Sequence, residues 1–288
     1  MMKARNSKHE ARNWVVAKSP DGSVQINFTI AFDEIEKARQ KALVELSKDV
    51  LVPGFRKGMA PVEKAKEKIS KEKLLEKTLM SIVPRLLSEA IESEKIKPAT
   101  YPKIELIKAE ENEPWEVRVL TCELPIFDLP DYKALIKTLP KPEGQTREQK
   151  IETIIKLLLD SVQITIPAIL VDEEVNARLS SLLERIEKLG LNLEGYLASV
   201  GKTPETLRTD YTGEANRAIG LELILNDIAQ RENIDVTPEK VEEAIHATEA
   251  THPDHGGASK HEHSEQQKSV VRSILRRSAV LDSLVALM

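Results

Sequence analysis

The segment VPGFRKGMAP (Val52–Pro61) joins two stretches of sequence with helical spacing. Its two glycines and two prolines predict a loop, because these residues favour turn conformations. Phe55, Arg56 and Lys57 stand side by side in it. In one interpretation Phe55 packs back onto the protein's own core and the two cations are solvated. In the other the loop is a docking tip, with the ring in a partner's pocket and Arg56 on a carboxylate or phosphate.

The sequence around the loop predicts an α+β domain with an antiparallel sheet. Helical spacing is found at 32–48, from Pro61 to about residue 69, and again up to about residue 97. Alternating apolar residues predict strands at 14–18, 23–30, 103–108 and 115–124. The element order is therefore β-β-α-α-α-β-β. The loop should lie at the tip of a helical hairpin, at the end farthest from the sheet.

The second half of the sequence predicts only helices. Apolar stripes at helical spacing begin near Thr146, and the last of them runs over Glu265–Met288. Charged residues, prolines and a glycine between the halves predict a linker. We therefore expect an elongated, multi-domain chain, with an α+β domain at 1–130, a linker at 131–145 and an all-α domain at 146–288.

Composition agrees with a largely helical protein. Of 288 residues 31% are charged and only 3% are aromatic, which favours long helices with aliphatic seams. The single cysteine, Cys122, excludes an intramolecular disulfide and is expected to be buried. The sequence shows neither a secretion signal nor the ~18 consecutive apolar residues of a membrane span. These features predict a cytoplasmic protein.

Charge is distributed unevenly along the chain. Residues 141–288 contain 17 Lys and Arg against 25 Asp and Glu, whereas residues 41–80 contain 10 basic and 6 acidic residues. The positive excess is therefore concentrated around the loop. A partner with phosphates or an acidic rim suits this part of the chain better than the second half.

Searches for catalytic and metal-binding motifs predict no enzyme. The sequence has no glycine-rich phosphate loop, no G-x-S-x-G elbow and no H-E-x-x-H pair, so we predict no catalytic residue and no cofactor. Four histidines between the last two helices could hold a zinc or nickel ion. Neighbouring glycines and serine predict a polar loop there, and ordering such a loop around an ion costs free energy, so we predict no metal site. These histidines are His252, His255, His261 and His263.

The loop resembles the ribosome-docking signature of the trigger factor family, bacterial chaperones that sit over the ribosomal exit tunnel. The family's signature reads G-F-R-x-G-K-x-P. Lys57 fits the variable position, and Met59 stands where the family usually has lysine. Residues 14–128 look like the family's ribosome-binding domain, and residues 166–243 are similar to its helical C-terminal domain. The matching residues of the signature are Gly54, Phe55, Arg56, Gly58 and Pro61.

The resemblance also implies that a domain is missing. Trigger factors usually carry a proline isomerase domain of the FKBP type between these two parts, and such a domain needs ~100 residues. Only the 131–145 segment is available. The ten aromatic residues all lie in segments assigned to the other two domains or to the linker, so no set remains for an isomerase pocket.

The resemblance implies a ribosome-associated chaperone that holds nascent or unfolded polypeptides and has no isomerase activity. Its partners would be a ribosomal protein at the tunnel exit, nearby RNA phosphates and unfolded chains, with no membrane and no DNA. The resemblance leaves open whether the protein forms a weak homodimer. The protein would be cytoplasmic and partly ribosome-associated. The residues expected to bind the ribosome are Gly54, Phe55, Arg56, Lys57 and Gly58.

Two alternatives come from other classes of protein. The first is a helical holdase that works away from ribosomes and keeps the loop as a vestige, which Met59 and the missing domain would fit. The second is a proline isomerase with a cryptic site. Co-sedimentation with ribosomes separates the first from the leading hypothesis, and a prolyl-peptide assay tests the second.

Overall fold

The computed structural model describes residues 13–110, 112–140, 144–251 and 265–288. It divides into two compact units. Unit 1 consists of Met1–Leu124 with Pro167–Ile169, and unit 2 consists of Pro125–Ile166 with Leu170–Met288. The four histidines of the candidate metal site lie outside the described residues.

Unit 1 contains a four-stranded antiparallel sheet and three helices, which confirms the predicted α+β fold. The strands pair in the order β1-β2-β4-β3. The helices are α1 (Phe32–Ser47), α2 (Val62–Lys66) and α3 (Lys71–Glu94). The element order along the chain is the predicted one. The strands are β1 (Trp14–Lys18), β2 (Ser23–Ile30), β3 (Lys103–Lys108) and β4 (Trp115–Cys122).

One face of the sheet forms the core of unit 1. In the register of β2 and β4, Ile26 pairs with Val119 and Phe28 pairs with Val117, and these four side chains are buried. Alternate residues of a strand point to the same face, so the period-two pattern of the sequence becomes the core. Cys122 is buried, as expected.

Helices α1 and α3 form the predicted hairpin. The core residues of α1 come from its first half, Ile35 and Ala38, whereas the fully buried core residues of α3 begin only at Ile82. Ion pairs join Glu34 to Arg85 and, at 3.0 Å, Glu45 to Lys77. The two helices therefore run antiparallel, and the loop follows the end of α1.

The described residues of the second half of the chain contain seven helices and no strand, as predicted. Its largest core brings together Leu158 of α5, Ile228 of α8 and Leu284 of α10. No helix within the described ranges is long and apolar enough to span a membrane. The helices are α4 (Tyr132–Lys137), α5 (Arg147–Ser161), α6 (Ala168–Lys188), α7 (Leu193–Val200), α8 (Pro204–Arg231), α9 (Pro238–Thr251) and α10 (Glu265–Val285).

The segment 131–145 differs from the expected linker, because it contains α4 and belongs to unit 2. Tyr132 and Ile136, one helical turn apart, are both buried in the main core of that unit. The Tyr132 hydroxyl donates a hydrogen bond of 2.7 Å to Glu232, and burial together with this bond raises the pKa of Tyr132. The boundary between the units follows Leu124.

Candidate functional site

The loop Val52–Pro61 folds as two consecutive tight turns. The Phe55 amide donates to the Val52 carbonyl at 3.1 Å, and the Met59 amide donates to the Arg56 carbonyl at 3.0 Å. The third residue of each turn is a glycine with positive φ, 85° at Gly54 and 78° at Gly58. Glycine with positive φ at this position is the arrangement of a type II turn. The two glycines therefore set the loop's conformation, as expected from the sequence.

The two glycines stand in different surroundings. A β-carbon added at Gly58 would lie only 2.9 Å from the backbone oxygen of Lys48, whereas one added at Gly54 would meet no atom within 4 Å. The second turn is therefore packed against the last residues before the loop. Gly54 is required for its φ angle alone.

Changing Gly58 to Ala should destabilise the protein more than changing Gly54 to Ala. The Gly54→Ala variant carries only the strain of a positive φ, about 1 kcal/mol. Gly58→Ala carries the same strain and must also displace the Lys48 carbonyl, so we expect a total of about 2–3 kcal/mol. Urea denaturation of both variants and of the wild type measures this difference. Equal midpoints for the two variants would contradict the packing of Gly58 on Lys48.

Both ends of the loop are held by buried residues. Val52 is buried at its start, and Ala65 of α2 is fully buried just beyond its end. The Pro61 carbonyl accepts hydrogen bonds from the amides of Lys64 and Ala65, which begins α2 directly after the loop. The middle of the loop, by contrast, is exposed at Arg56 and Lys57.

Phe55 packs against a cation rather than against the core. Its ring is partly exposed, and it does not belong to any hydrophobic cluster formed by the described residues. The Nζ atom of Lys64 lies 5.2 Å from the ring centroid, within the range of a cation–π interaction. The geometry therefore does not support the interpretation in which Phe55 packs back onto the core.

The two cations beside Phe55 differ in their partners. Lys57 forms an ion pair with Asp49 at 3.1 Å, but both side chains are largely exposed, and such pairs contribute little stability. Arg56 is exposed and forms no ion pair within the described part of the chain. Its guanidinium group is therefore available to a carboxylate or phosphate of another molecule.

We refer to Phe55, Arg56, Lys57 and Met59 together as the tip surface. Met59 is 76% exposed, and Leu51, just before the loop, is also exposed. An aromatic ring, two cations and an apolar side chain can bind an apolar pocket with an acidic or phosphate rim. They offer no nucleophile with a neighbouring base, and the described residues hold no cluster of ligands for a metal ion.

Three neighbours of the tip surface were not identified from the sequence. Lys64 reaches Phe55 from the next helix, Asp49 pairs with Lys57, and the Lys48 carbonyl packs against Gly58. The basic run after Pro61 was a signal for Lys64, because α2 begins there and carries two lysines. The other two contacts depend on how the chain reverses direction after α1.

Two protein-family models match the chain. The model described as bacterial trigger factor protein matches residues 13–158. The model described as the C-terminus of bacterial trigger factor protein matches residues 139–286. The two ranges overlap, so the matches leave no unassigned stretch between them.

Curated relatives carry the same family name. The chain is 34% identical over 166 residues to the trigger factor of Mycolicibacterium smegmatis, an alignment that covers 58% of this chain and 30% of the relative. It is 32% identical over 129 residues to that of Streptococcus mutans, covering 45% of this chain and 30% of the relative. The alignments thus span about a third of these relatives' length.

A solved structure shares the fold of the chain. It comes from a study of promiscuous substrate recognition in the folding and assembly activities of the trigger factor chaperone. The match has a TM-score of 0.57 and 14% sequence identity, and it covers 94% of this chain and 99% of the other. At this identity the match reports on the fold alone.

Proposed function

The chain belongs to the trigger factor family, since each of its two family models covers about half of it, and from this premise we propose that it is a ribosome-associated chaperone. It would hold nascent or unfolded polypeptides without isomerising proline bonds. The tip surface is the observation that carries the proposal. It combines a partly exposed aromatic ring with an arginine that has no ion pair among the described residues, on a loop with buried residues at both ends.

The tip surface suits a partner at the exit tunnel of the ribosome. Phe55 would enter an apolar pocket of a ribosomal protein, while Arg56 and Lys57 bind carboxylates or RNA phosphates nearby. Lys64 lies over Phe55 and adds a third positive charge beside the ring. A chaperone that must leave each chain needs only about micromolar affinity, or roughly −8 kcal/mol.

Unit 2 would supply the surface that holds the client. Exposed aliphatic side chains lie along α6, α7 and their connection, among them Leu183, Leu189 and Leu191. Exposed apolar groups can cover those of an unfolded chain through the hydrophobic effect. The excess of acidic residues in this half disfavours binding to RNA, which would leave the surface open to clients.

The two overlapping family matches also favour a chaperone without an isomerase domain. The aromatic residues support this, because Phe28 and Trp115 are buried in the sheet's core and Tyr132 in that of unit 2. We therefore propose that the protein is not an enzyme. It would be cytoplasmic and partly bound to ribosomes.

Co-sedimentation with bacterial ribosomes through a sucrose cushion tests the proposal. We expect the protein to pellet with ribosomes at low salt and to be released as salt rises, because part of the contact is with phosphates. A protein that stays in the supernatant yet prevents aggregation of an unfolded client would instead be a ribosome-independent holdase. That outcome would refute docking.

Changing Met59 to Lys should strengthen docking. The variant restores the cation that the family usually carries at this position, and the site is exposed enough to hold it without desolvation. We expect about two- to fivefold tighter binding at low salt and a steeper decrease of affinity with salt. Sedimentation over a range of salt concentrations measures both quantities. Met80→Lys is the matched control, because Met80 is 66% exposed on α3, outside the loop. This variant should change neither the affinity nor its dependence on salt.

A further inference from the structure

The connection between α5 and α6 is an extended segment without a paired strand. Val162, which follows α5, has φ −115° and ψ 122°, and residues 162–167 belong to neither helix nor sheet. Exposure alternates along this segment. Val162 is buried and Ile164 and Ile166 are partly buried, whereas Gln163 and Thr165 are exposed. This is the pattern of a β-strand with one apolar face.

The backbone of this segment lacks the partners that a strand normally has. No hydrogen bond from any described residue reaches the amide or carbonyl groups of Gln163, Ile164 or Thr165. An extended backbone with unpaired groups is a template for pairing with another chain. The segment is also rich in β-branched residues, which favour strands.

An open apolar groove lies beside the segment and has a volume of about 710 Å³. Its walls include Ile155 and Leu159 from α5 and Leu221 from α8. A methyl group placed on Gly220 of α8 would lie 3.7 Å from both Leu159 and Ile166, so the three elements meet at this glycine. The volume is in the range of peptide and ligand sites, which are typically about 300–1,000 Å³.

Charges at the rim of the groove show no preference for one sign. The rim carries two acidic residues, Glu152 and Asp160, and two basic residues, Lys156 and Arg217. A partner recognised here would therefore be selected by its backbone and its apolar side chains rather than by its charge. An unfolded polypeptide in an extended conformation has both features and needs no particular sequence.

We propose that the groove binds an extended stretch of unfolded polypeptide, which adds as a β-strand to Gln163–Thr165 and places alternate apolar side chains against Ile155, Leu159 and Leu221. The backbone bonds would supply affinity that does not depend on sequence, and the groove would favour apolar side chains at every second position. This inference rests on the proposed function only in that an unfolded chain is the ligand. It assigns a site and a binding mode within unit 2.

Backbone methylation of a peptide tests this binding mode without changing the protein. The probe is the fluorescein-labelled peptide KVTVSVTVK, whose valines alternate with polar residues, and binding is followed by fluorescence anisotropy with the full chain. Two further peptides carry N-methyl groups either on the central valines or on the central polar residues. Successive amides of a strand point to opposite edges, so only one of these sets faces Gln163–Thr165. We expect one methylated peptide to bind about tenfold more weakly and the other within about twofold of the parent.

Equal weakening of both methylated peptides, or of neither, would overturn strand addition, and so would a parent peptide that does not bind. A protein variant locates the site. Leu159→Asn should weaken binding of the parent peptide about tenfold, whereas Leu124→Asn, at an exposed leucine of unit 1 outside the groove, should not. Circular dichroism checks that each variant is folded. If the protein pellets with ribosomes but fails these peptide tests, the proposed function stands and strand addition at this groove is refuted.

Discussion

A variant in which Phe55, Arg56 and Lys57 are all changed to Ala is expected to remain in the supernatant when bacterial ribosomes are pelleted. An aromatic ring and a desolvated arginine at the centre of an interface each contribute about 2 kcal/mol or more. A loss of about 4 kcal/mol weakens a micromolar complex roughly a thousandfold. Sedimentation at micromolar protein concentration would then detect no bound variant.

The structure predicts how strongly each of the three single variants weakens docking. Phe55→Ala should weaken docking most, because it removes the ring and leaves Lys64 without its cation–π partner. Arg56→Ala should have the second-largest effect. The Arg56 guanidinium has no ion pair among the described residues, so no such pair must break when it binds the ribosome. Lys57→Ala should have the smallest effect, because Lys57 is already paired with Asp49. An equal effect of all three would indicate that net charge, rather than the geometry of the tip surface, controls docking.

A matched triple variant controls for the loss of one aromatic ring and two positive charges. Tyr101 is 95% exposed, and two lysines flank it outside the loop, Lys97 after the end of α3 and Lys103 at the start of β3. Changing these three residues to Ala should leave ribosome binding within about twofold of the wild type. Loss of binding in this control, or wild-type binding by the tip variant, would mean that the loop is not the anchor.

Much of unit 1 could be predicted because its signals are local. The alternation in β2 and β4 and the helical spacing in α1 and α3 appear directly in the sequence, and they give the observed order of elements. The two turns of the loop follow from Gly54 and Gly58, since positive φ angles favour glycine. These features need no knowledge of how distant segments pack.

The contacts around the site could not be predicted, because they depend on tertiary packing. Whether Phe55 packs on the core or under a cation depends on where α2 begins and which way Lys64 points. The extended segment after α5 is only six residues long, and helical stripes on both sides dominate the sequence pattern there. Its unpaired backbone becomes visible only once its neighbours are placed.

The segment 131–145 shows the same limit. Its prolines and glycine indicate a change of direction, but they do not show whether the chain packs on a neighbour. A helix of two turns has too few apolar positions for a recognisable stripe, so α4 was not predicted. Tyr132 and Ile136 nevertheless place it in the core of unit 2.

Changing Ile136 to Ala should therefore destabilise unit 2 by about 2–5 kcal/mol, because it removes buried methyl and methylene groups and leaves a cavity in the core. Urea denaturation of the full chain, followed by the helical circular dichroism signal, measures the loss. Ile126→Ala is the matched control, since it removes the same atoms from a fully exposed side chain of the same unit and should have little effect. If 131–145 were only a linker, both variants would unfold like the wild type. A large loss at Ile136 alone would mean that the helical unit begins before α4, so a fragment starting at residue 146 would lack part of its core.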